Sequence, residues 1–450
     1  MLVGGGGREH AMAEALCRWG AELAALMPNR NPGIERLAAV VRRAAVTDVD
    51  AARSLAESWG AELLVVGPEA ALAAGVTDEV AALGVRVASP SQMAARVETS
   101  KAFMRDLMRR HGVGGPVEWA AFSDPSEARD HLLAVDYPVA VKPAGLTGGK
   151  GVKVEGKDFR AGDREAAARL AAEAIASGAG NSARVVIERA LEGEEFTLMA
   201  FCDGQAVAPM PLVQDHKRAF EGDKGPNTGG MGSYSLADHS LPFLSPEERA
   251  SAEEILRETV AGLRADGCPF VGVLYGQFMA TVDGPRVIEF NARFGDPEAM
   301  NVLPLLETNY VDVCAAMADG ALKDLDVRFQ AKATVCKYVV PRGYGSPGVA
   351  AGAALRVDEP AVTRAGARLY YAAVDAEAEG GVLRTTSSRA LAVVGVADRL
   401  GEAERAAEAA LAAVEGEYDV RHDIGTPLLV ARRVERMKGL RIKQARRGGA

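Results

Sequence analysis

The segment Val287-Ile-Glu-Phe-Asn-Ala-Arg-Phe-Gly-Asp-Pro-Glu298 places a carboxylate, an amide, a guanidinium and further acids on one short run of backbone. Read as a strand from Val287 to Asn291, it alternates faces, so Glu289 and Asn291 project together while Ile288 and Phe290 are expected in a core. Hard oxygen donors then lie side by side. Mg²⁺ prefers oxygen ligands and keeps waters or substrate phosphates in its other positions, so one carboxylate and one amide suffice as protein anchors. Arg293 adds a planar fork for a phosphate or carboxylate. The bland alternative is a buried strand followed by a charged loop.

Two glycine loops suggest anion sites. Gly4-Gly5-Gly6-Gly7-Arg8-Glu9-His10 follows a short apolar run and opens a helix, where backbone N–H groups and the helix dipole favour an anion. A dinucleotide fingerprint is disfavoured, because Glu9 stands where the third glycine belongs and the second strand ends in Pro28-Asn29 without the ribose-binding acid. Only Met1, Leu2 and Val3 precede the glycines, which predicts a start further upstream. In the second loop, Lys142-Pro-Ala-Gly-Leu-Thr-Gly-Gly-Lys150-Gly151, backbone amides can close over phosphates while Lys142 and Lys150 supply point charges. It is no Walker A loop, since Gly151 follows the lysine; a plain hairpin turn is the rival reading.

Other residues gain meaning only in combination. Lys101, in Thr99-Ser-Lys-Ala-Phe103, could reach a nucleotide phosphate or be a solvated surface lysine. Glu188 ends an apolar strand, with Glu194 and Glu195 shortly after. In an ATP site a carboxylate here could hold ribose hydroxyls, with the backbone of residues 189 to 191 reading the adenine edge. Gln214-Asp-His-Lys-Arg218 and Pro226-Asn-Thr-Gly-Gly-Met-Gly-Ser-Tyr234 form a long polar loop of the kind a compact domain carries mainly for function.

The elements behind these residues divide the chain. At 450 residues it exceeds one hydrophobic core. Apolar residues at 48% and charged residues at 25% exclude a disordered or fibrous chain, and no apolar stretch is long enough for a bilayer. The first residues show no basic n-region with an apolar h-region, which gives secretion no support, and the five cysteines are scattered without a C-x-x-C pair, so a reducing cytoplasm is expected. A net charge of -9 gives no field for nucleic acid; the basic stretch Arg432 to Arg447 reads as a solvated helical tail.

Residues 1–99 alternate strands (Leu23 to Met27, Leu63 to Val66, Val85 to Ala88) with helices, one of them capped by Thr47 or Asp48 and stopped at Gly60, which predicts a parallel α/β unit. Ser91 to His111 reads as one connecting helix ended by Gly112. Residues 100–195 form a small lobe with the glycine flap, 196–328 a larger lobe with the longer strands, 329–432 a C-terminal unit and 433–450 the basic tail. A two-residue turn at Asp283-Gly284 would pair Gln277 with Phe290; if Gln277 meets Glu289, an odd loop or a bulge is required.

Taken in order, GGGGREHA, VGPEA, SKAFM, GGKGV, QDHKR, GPNTGGMGSYS and VIEFNARFGDPE closely resemble the glycinamide ribonucleotide synthetase (phosphoribosylamine–glycine ligase) family of the ATP-grasp superfamily, from Gly4 to about Gly425. The resemblance implies a multi-domain α/β ATP-grasp fold with an N-terminal parallel α/β domain and a small C-terminal α+β domain. It also implies an ATP-dependent ligase of de novo purine synthesis. This would join glycine to 5-phosphoribosylamine through glycyl phosphate, with Mg²⁺ or Mn²⁺, two ions in all. Phosphoryl transfer is mostly positioning and neutralisation of charge, which is why lysines and an arginine matter more than a nucleophile.

By motif, Glu289 and Asn291 would bind metal, with Gln277 a further ligand that only some members possess. Lys101, Lys142, Lys150, Glu188 and Glu195 would hold ATP. Gly5, Gly6, Gly7, Arg8, Glu9, Asp215, Lys217, Asn227, Thr228, Gly229, Gly230, Met231, Arg293 and Asp296 would line the phosphoribosylamine and glycine sites, with Arg293, Lys150 and Asp215 closest to the chemistry. The expected partners are small molecules alone, without nucleic acid or membrane, on a monomer or weak dimer. Ala88-Ser-Pro-Ser91 and Ala299-Met-Asn301 depart from the family pattern. The rival is another ATP-grasp ligase or carboxylase of purine metabolism, against which the QDHKR and GPNTGGMG blocks speak.

Overall fold

The structure is a computed structural model and describes residues 1–146, 151–179, 182–377 and 381–448. At the N-terminus, Leu2–Val3 is the central strand of a parallel sheet, flanked by Leu23–Met27 and Leu63–Val66, with Ala38–Arg43 and Arg86–Val87 outermost. Its helix Val49–Trp59 starts and stops where the sequence signals: the Asp48 side chain accepts from the Ala51 amide at 2.9 Å, and Gly60 takes φ 67°. The edge strand Ala38–Arg43 has no turn signal before it, because it runs directly out of the helix Pro32–Leu37.

The connecting helix is two helices, Arg96–Thr99 and Lys101–His111. Ser100 breaks it: its backbone is extended, and its hydroxyl accepts from the Phe103 amide at 3.3 Å as an N-cap. Gly112 ends the second helix at φ 63°, as expected.

The small lobe is an antiparallel sheet in the order Trp119–Phe122, Val185–Arg189, Val139–Pro143, Lys153–Val154. Helices Pro125–Ala134 and Arg164–Ser177 pack together with it, and Leu132, Val139, Val141, Ile175 and Ile187 belong to a core of its own. The large lobe is a second antiparallel sheet, in which Val271–Thr281 lies between Glu194–Asp203 and Gly284–Asn291. Phe196 and Phe278 stack across it with ring centroids 5.2 Å apart.

A third sheet crosses the expected boundary between large lobe and C-terminal unit. It runs Gln214–Asp215, Gly232–Ser235, Ala333–Val339, Leu391–Ala397, Ala367–Tyr371, so both polar segments hang from strands paired with the C-terminal unit.

The C-terminal stretch is not a solvated tail. Helix Pro427–Gly448 lays Leu429, Val430, Val434, Met437 and Leu440 against the main core, with Met437 fully buried. These positions recur every three or four residues, an amphipathic stripe that the density of Arg and Lys obscures in the sequence. Among the described residues no helix is long and apolar enough to cross a membrane.

Candidate active site

A cavity of about 650 Å³ lies between the two lobes. Ala140 and Val154 face it from the small lobe, Met279 and Ile288 from the large one, and the connection Arg189 to Leu191 closes its back. The amides of Arg189 and Ala190 already donate to Glu118 O and Pro138 O, at 2.9 and 2.7 Å. Of the backbone of residues 189 to 191 expected to read an adenine edge, the amide left for it among the described residues is that of Leu191.

Glu289 and Asn291 do project from one strand, but the alternation around them is broken. The turn is Val282-Asp283, one residue earlier than expected, with Thr281 opposite Gly284. The ladder then slips between Gln277 and Phe278, so Gln277 meets Glu289 and Ile288 is the extra residue. This is the required bulge. It also corrects Ile288, which faces the cavity while Val287 takes the core place with Phe290.

Glu289 takes no hydrogen bond from the described residues. Burial raises its carboxyl, but Lys217, Lys101 and Lys142 outweigh this and hold it below the usual range. Asn291 Oδ1 accepts from Arg293 Nη2 at 3.3 Å.

Gln277 lies opposite Glu289, yet its oxygen is turned away. Oε1 accepts from the Tyr275 hydroxyl and, at 3.4 Å, from Thr197, while Nε2 donates to Glu195 at 3.3 Å and Asp215 at 3.4 Å. As arranged, Gln277 orients two carboxylates and offers no oxygen to a cation. Among the described residues no group of three or more His, Cys, Asp or Glu is built to hold a metal. The donors at hand, Glu289 and Asn291, suit a hard cation completed by substrate oxygens.

The lysines gather as expected, though not all are free. Lys101 Nζ donates to Gly145 O at 3.0 Å at the root of the glycine flap, and burial lowers its pKa. Lys142 Nζ contacts Glu188 Oε2 at 2.5 Å. Arg105 forks onto the same carboxylate at 2.8 and 3.0 Å. Burial alone would raise Glu188, but Arg105 and Lys142 bring it down to about 2. Both its oxygens are committed, so Glu188 positions Lys142 and leaves the ribose to others. Lys150, with residues 147–149 of the flap, lies outside the described residues.

Asp215, Lys217 and Glu195 sit together on the cavity wall, with Lys217 Nζ 3.7 Å from Asp215 and 3.6 Å from Glu195. Burial opposes the ammonium, yet these acids hold Lys217 well above the lysine range. Behind them, burial and then the Asp215 charge push Glu298 up to about 7. The Tyr275 hydroxyl oxygen stands 2.8 Å from Glu298 Oε1.

The N-terminal loop and the two polar loops converge beside this wall. Gly6 N donates to Glu9 Oε2 at 2.7 Å, so Glu9 occupies the helix end where an anion was expected. A Cβ on Gly67 would fall 1.9 Å from Glu9 Oε1, which explains a glycine there. Arg8 pairs with Glu9 at 2.6 Å and donates to Phe294 O at 3.1 Å. Gly5 and Gly7 pack against Asn29 and Tyr338, where any Cβ would collide.

Arg293 spans the domains, reaching Glu98 at 2.8 Å and Glu69 at 3.3 Å. Asp296 accepts from the Tyr338 hydroxyl at 2.6 Å and pairs with Arg389 at 3.0 Å. Arg389 also donates to Gly229 O at 2.7 Å and Gly230 O at 3.2 Å. The loop at Asn227 and Thr228 is laced to Lys217 O through Thr228 Oγ1 at 2.9 Å. Met231 is corrected: its side chain lies in the core, and only its backbone meets the loop. Sequence reasoning missed Arg105, Glu69, Glu98 and Arg389, none of which stands in a motif that names its distant partner.

The phosphoribosylglycinamide synthetase N domain matches residues 1–98, its ATP-grasp (A) domain residues 99–299 and its C domain residues 334–427. The chain belongs to the phosphoribosylglycinamide synthetase family. Among relatives of this family, phosphoribosylamine–glycine ligase of Methanocaldococcus jannaschii is 47% identical, over 98% of this chain and 99% of that protein. The same enzyme of Methanopyrus kandleri is 48% identical over 98% and 99%. The crystal structure of phosphoribosylamine–glycine ligase from Thermotoga maritima superposes with a TM-score of 0.78 at 26% identity, covering 94% of this chain and 98% of that one. A biotin carboxylase domain from Hydrogenobacter thermophilus, at 16% identity and a TM-score of 0.71, shares the fold. In this family member the ATP-grasp match covers the cavity's lysines and all of its lining except Arg433 and Arg436, while the helix Pro427–Gly448 that carries these two begins where the C-domain match ends.

Proposed function

We propose that the chain is an ATP-dependent phosphoribosylamine–glycine ligase, giving glycinamide ribonucleotide, ADP and phosphate in purine biosynthesis. The observation that carries this is the near-complete alignment, at 47% identity, with an enzyme of that name. The geometry supports it. The γ-phosphoryl group of ATP passes to a glycine carboxylate oxygen as ADP leaves. The ribosylamine nitrogen then attacks the acyl carbon, phosphate departs, and the nitrogen gives up a proton.

Each part of the cleft suits one task. Met279 and Ile288 face Ala140 and Val154 across the cavity, apolar faces for a flat base, and Glu195 is the acid left for ribose hydroxyls. Lys101, Lys142 and Lys217 bring positive charge toward the phosphates around Glu289. Arg293, fixed by Glu69 and Glu98, orients an anionic substrate group, and Asp215, with Glu298 behind it, lines the place of the amine. Asp296, Asn227, Thr228 and the Gly229-Gly230 backbone form the wall for phosphoribosylamine. ATP-grasp enzymes use ATP with divalent ions; Mg²⁺ or Mn²⁺, as two ions, would neutralise phosphate charge, and Glu289 and Asn291 would hold them.

The test is ADP release with Mg-ATP, freshly generated phosphoribosylamine and glycine, each omitted in turn. ADP formation should require both acceptor and amino acid. Release with either one missing, or with bicarbonate in place of glycine, would refute the reading.

A further inference from the structure

The C-terminal helix Pro427–Gly448 brings two arginines, three residues apart and so on one face, to the wall of the cleft. Arg436 Nη1 donates to Glu194 Oε1 at 2.9 Å, and Arg433 Nη1 lies 3.1 Å from Glu194 Oε2. Glu194 is only 2% exposed, so one buried carboxylate is clamped by two guanidiniums of one helix. Arg433 continues to Asp223, Asp223 to Arg421 at 2.8 Å, and Arg421 forks onto Asp423 at 2.8 and 2.7 Å.

The clamp sits at the start of the strand Glu194–Asp203, next to Glu195. The chain has no slack there: a Cβ on Gly193 would fall 1.8 Å from Ala280 O. Whatever fixes Glu194 therefore fixes where Glu195 stands. A second observation points to a ligand on this wall. His216 lines the cavity at 1% exposure, and neither ring nitrogen has a partner among the described residues; Arg433 Nε is unpartnered too. Buried polar atoms of this kind are rare without something to meet them.

We propose that the C-terminal helix is part of the nucleotide site, with Arg433 and Arg436 positioning Glu194 and thereby the ribose end of the cleft, so that the helix sets affinity for ATP. This rests on the nucleotide reading of the cavity. Arg433 and Arg436 act through Glu194 and the strand it begins; they are positioning residues.

The experiment compares the full-length protein with R436A and R436K, using calorimetric ADP binding and steady-state kinetics. R436A should weaken ADP binding and raise KM for ATP about tenfold, the loss of one charge-assisted hydrogen bond. Its kcat and KM for glycine should stay within about twofold, and R436K should recover part of the loss because its charge still meets Glu194. Unchanged ADP affinity in R436A overturns the proposal, as does a parallel change in kcat and both KM values. Should R436A fail to fold, E194Q is expected to give the same rise in KM for ATP, and an unchanged KM in that variant overturns it equally. A wild-type protein that binds no ADP would overturn the nucleotide reading itself, and this proposal with it.

Discussion

Glu289 and Glu188 are both acids of the cleft, but their surroundings give them different work. Glu289 is partly open to the cavity, with lysine charges around it and no hydrogen bond from the described residues. Glu289→Gln keeps the shape and removes the charge, so turnover should fall about 100-fold or more while the melting midpoint barely moves. Wild-type turnover in that variant would end its assignment as a metal anchor.

Glu188 is buried under Arg105 and Lys142, and Glu188→Gln strands a guanidinium and an ammonium without their counter-charge. Urea denaturation at pH 7 should show a loss of about 3 kcal/mol. Its folded carboxyl is depressed to about 2 from an ordinary 4.5, so the stability it contributes is present above 4.5 and lost as pH falls toward 2. The gap between wild type and variant should therefore close in acid. A gap that stays constant from pH 7 to pH 3 would contradict the ion-pair account.

Among the elements, the bulged hairpin shows how far a sequence can be read. The bulge takes Ile288 out of the core and adds it to the slot with Met279. Ile288→Ala should then raise KM for ATP about fivefold through lost apolar contact, with kcat unchanged. A drop in thermal stability without any change in KM would place Ile288 back in the core. That an odd loop or a bulge is needed for Gln277 to meet Glu289 was readable, because a regular ladder from the turn would pair Gln277 with Phe290; the structure takes the bulge. Which residue absorbs it was not readable, since Val287 and Ile288 are equally apolar.

Helix signals behave the same way. Asp48 and Gly60 act locally and were legible, whereas Ser100 looks like any helix serine until its backbone is seen extended. In the C-terminal helix, the apolar stripe through Val430, Val434 and Met437 was present but outweighed by charge. Arg105 and Arg389 were invisible for another reason. Each is defined by partners 83 and 93 residues away, Glu188 and Asp296, that only tertiary structure brings near.

At the scale of the molecule, the described residues form two hydrophobic cores of unequal size. One belongs to the small lobe alone; the other runs continuously through the N-terminal sheet, the large lobe and the C-terminal unit. Polar ties reinforce the larger one. Asn31 Nδ2 donates to Tyr371 O at 2.8 Å, and Arg18 Nη2 to Leu306 O at 3.0 Å, joining the N-terminal unit to both others. Units that share a core open together, whereas a lobe with its own core can open alone at lower free energy. Hydrogen exchange should therefore separate them. Amides of Val139–Pro143 and Val185–Arg189 should exchange well before those of Glu194–Asp203, although all are in interior strands. On the proposed reading of the cavity, ADP with Mg²⁺ would bridge the lobes, because Lys142 and Ala140 stand on one side of the cavity and Met279 and Glu289 on the other. Saturating nucleotide should slow the small-lobe amides far more than the rest, since binding to the closed state adds its free energy only to the opening it forbids. Equal exchange rates in the two lobes, or equal slowing of both by nucleotide, would mean that the small lobe is not an independent unit and that the cleft does not close by moving it.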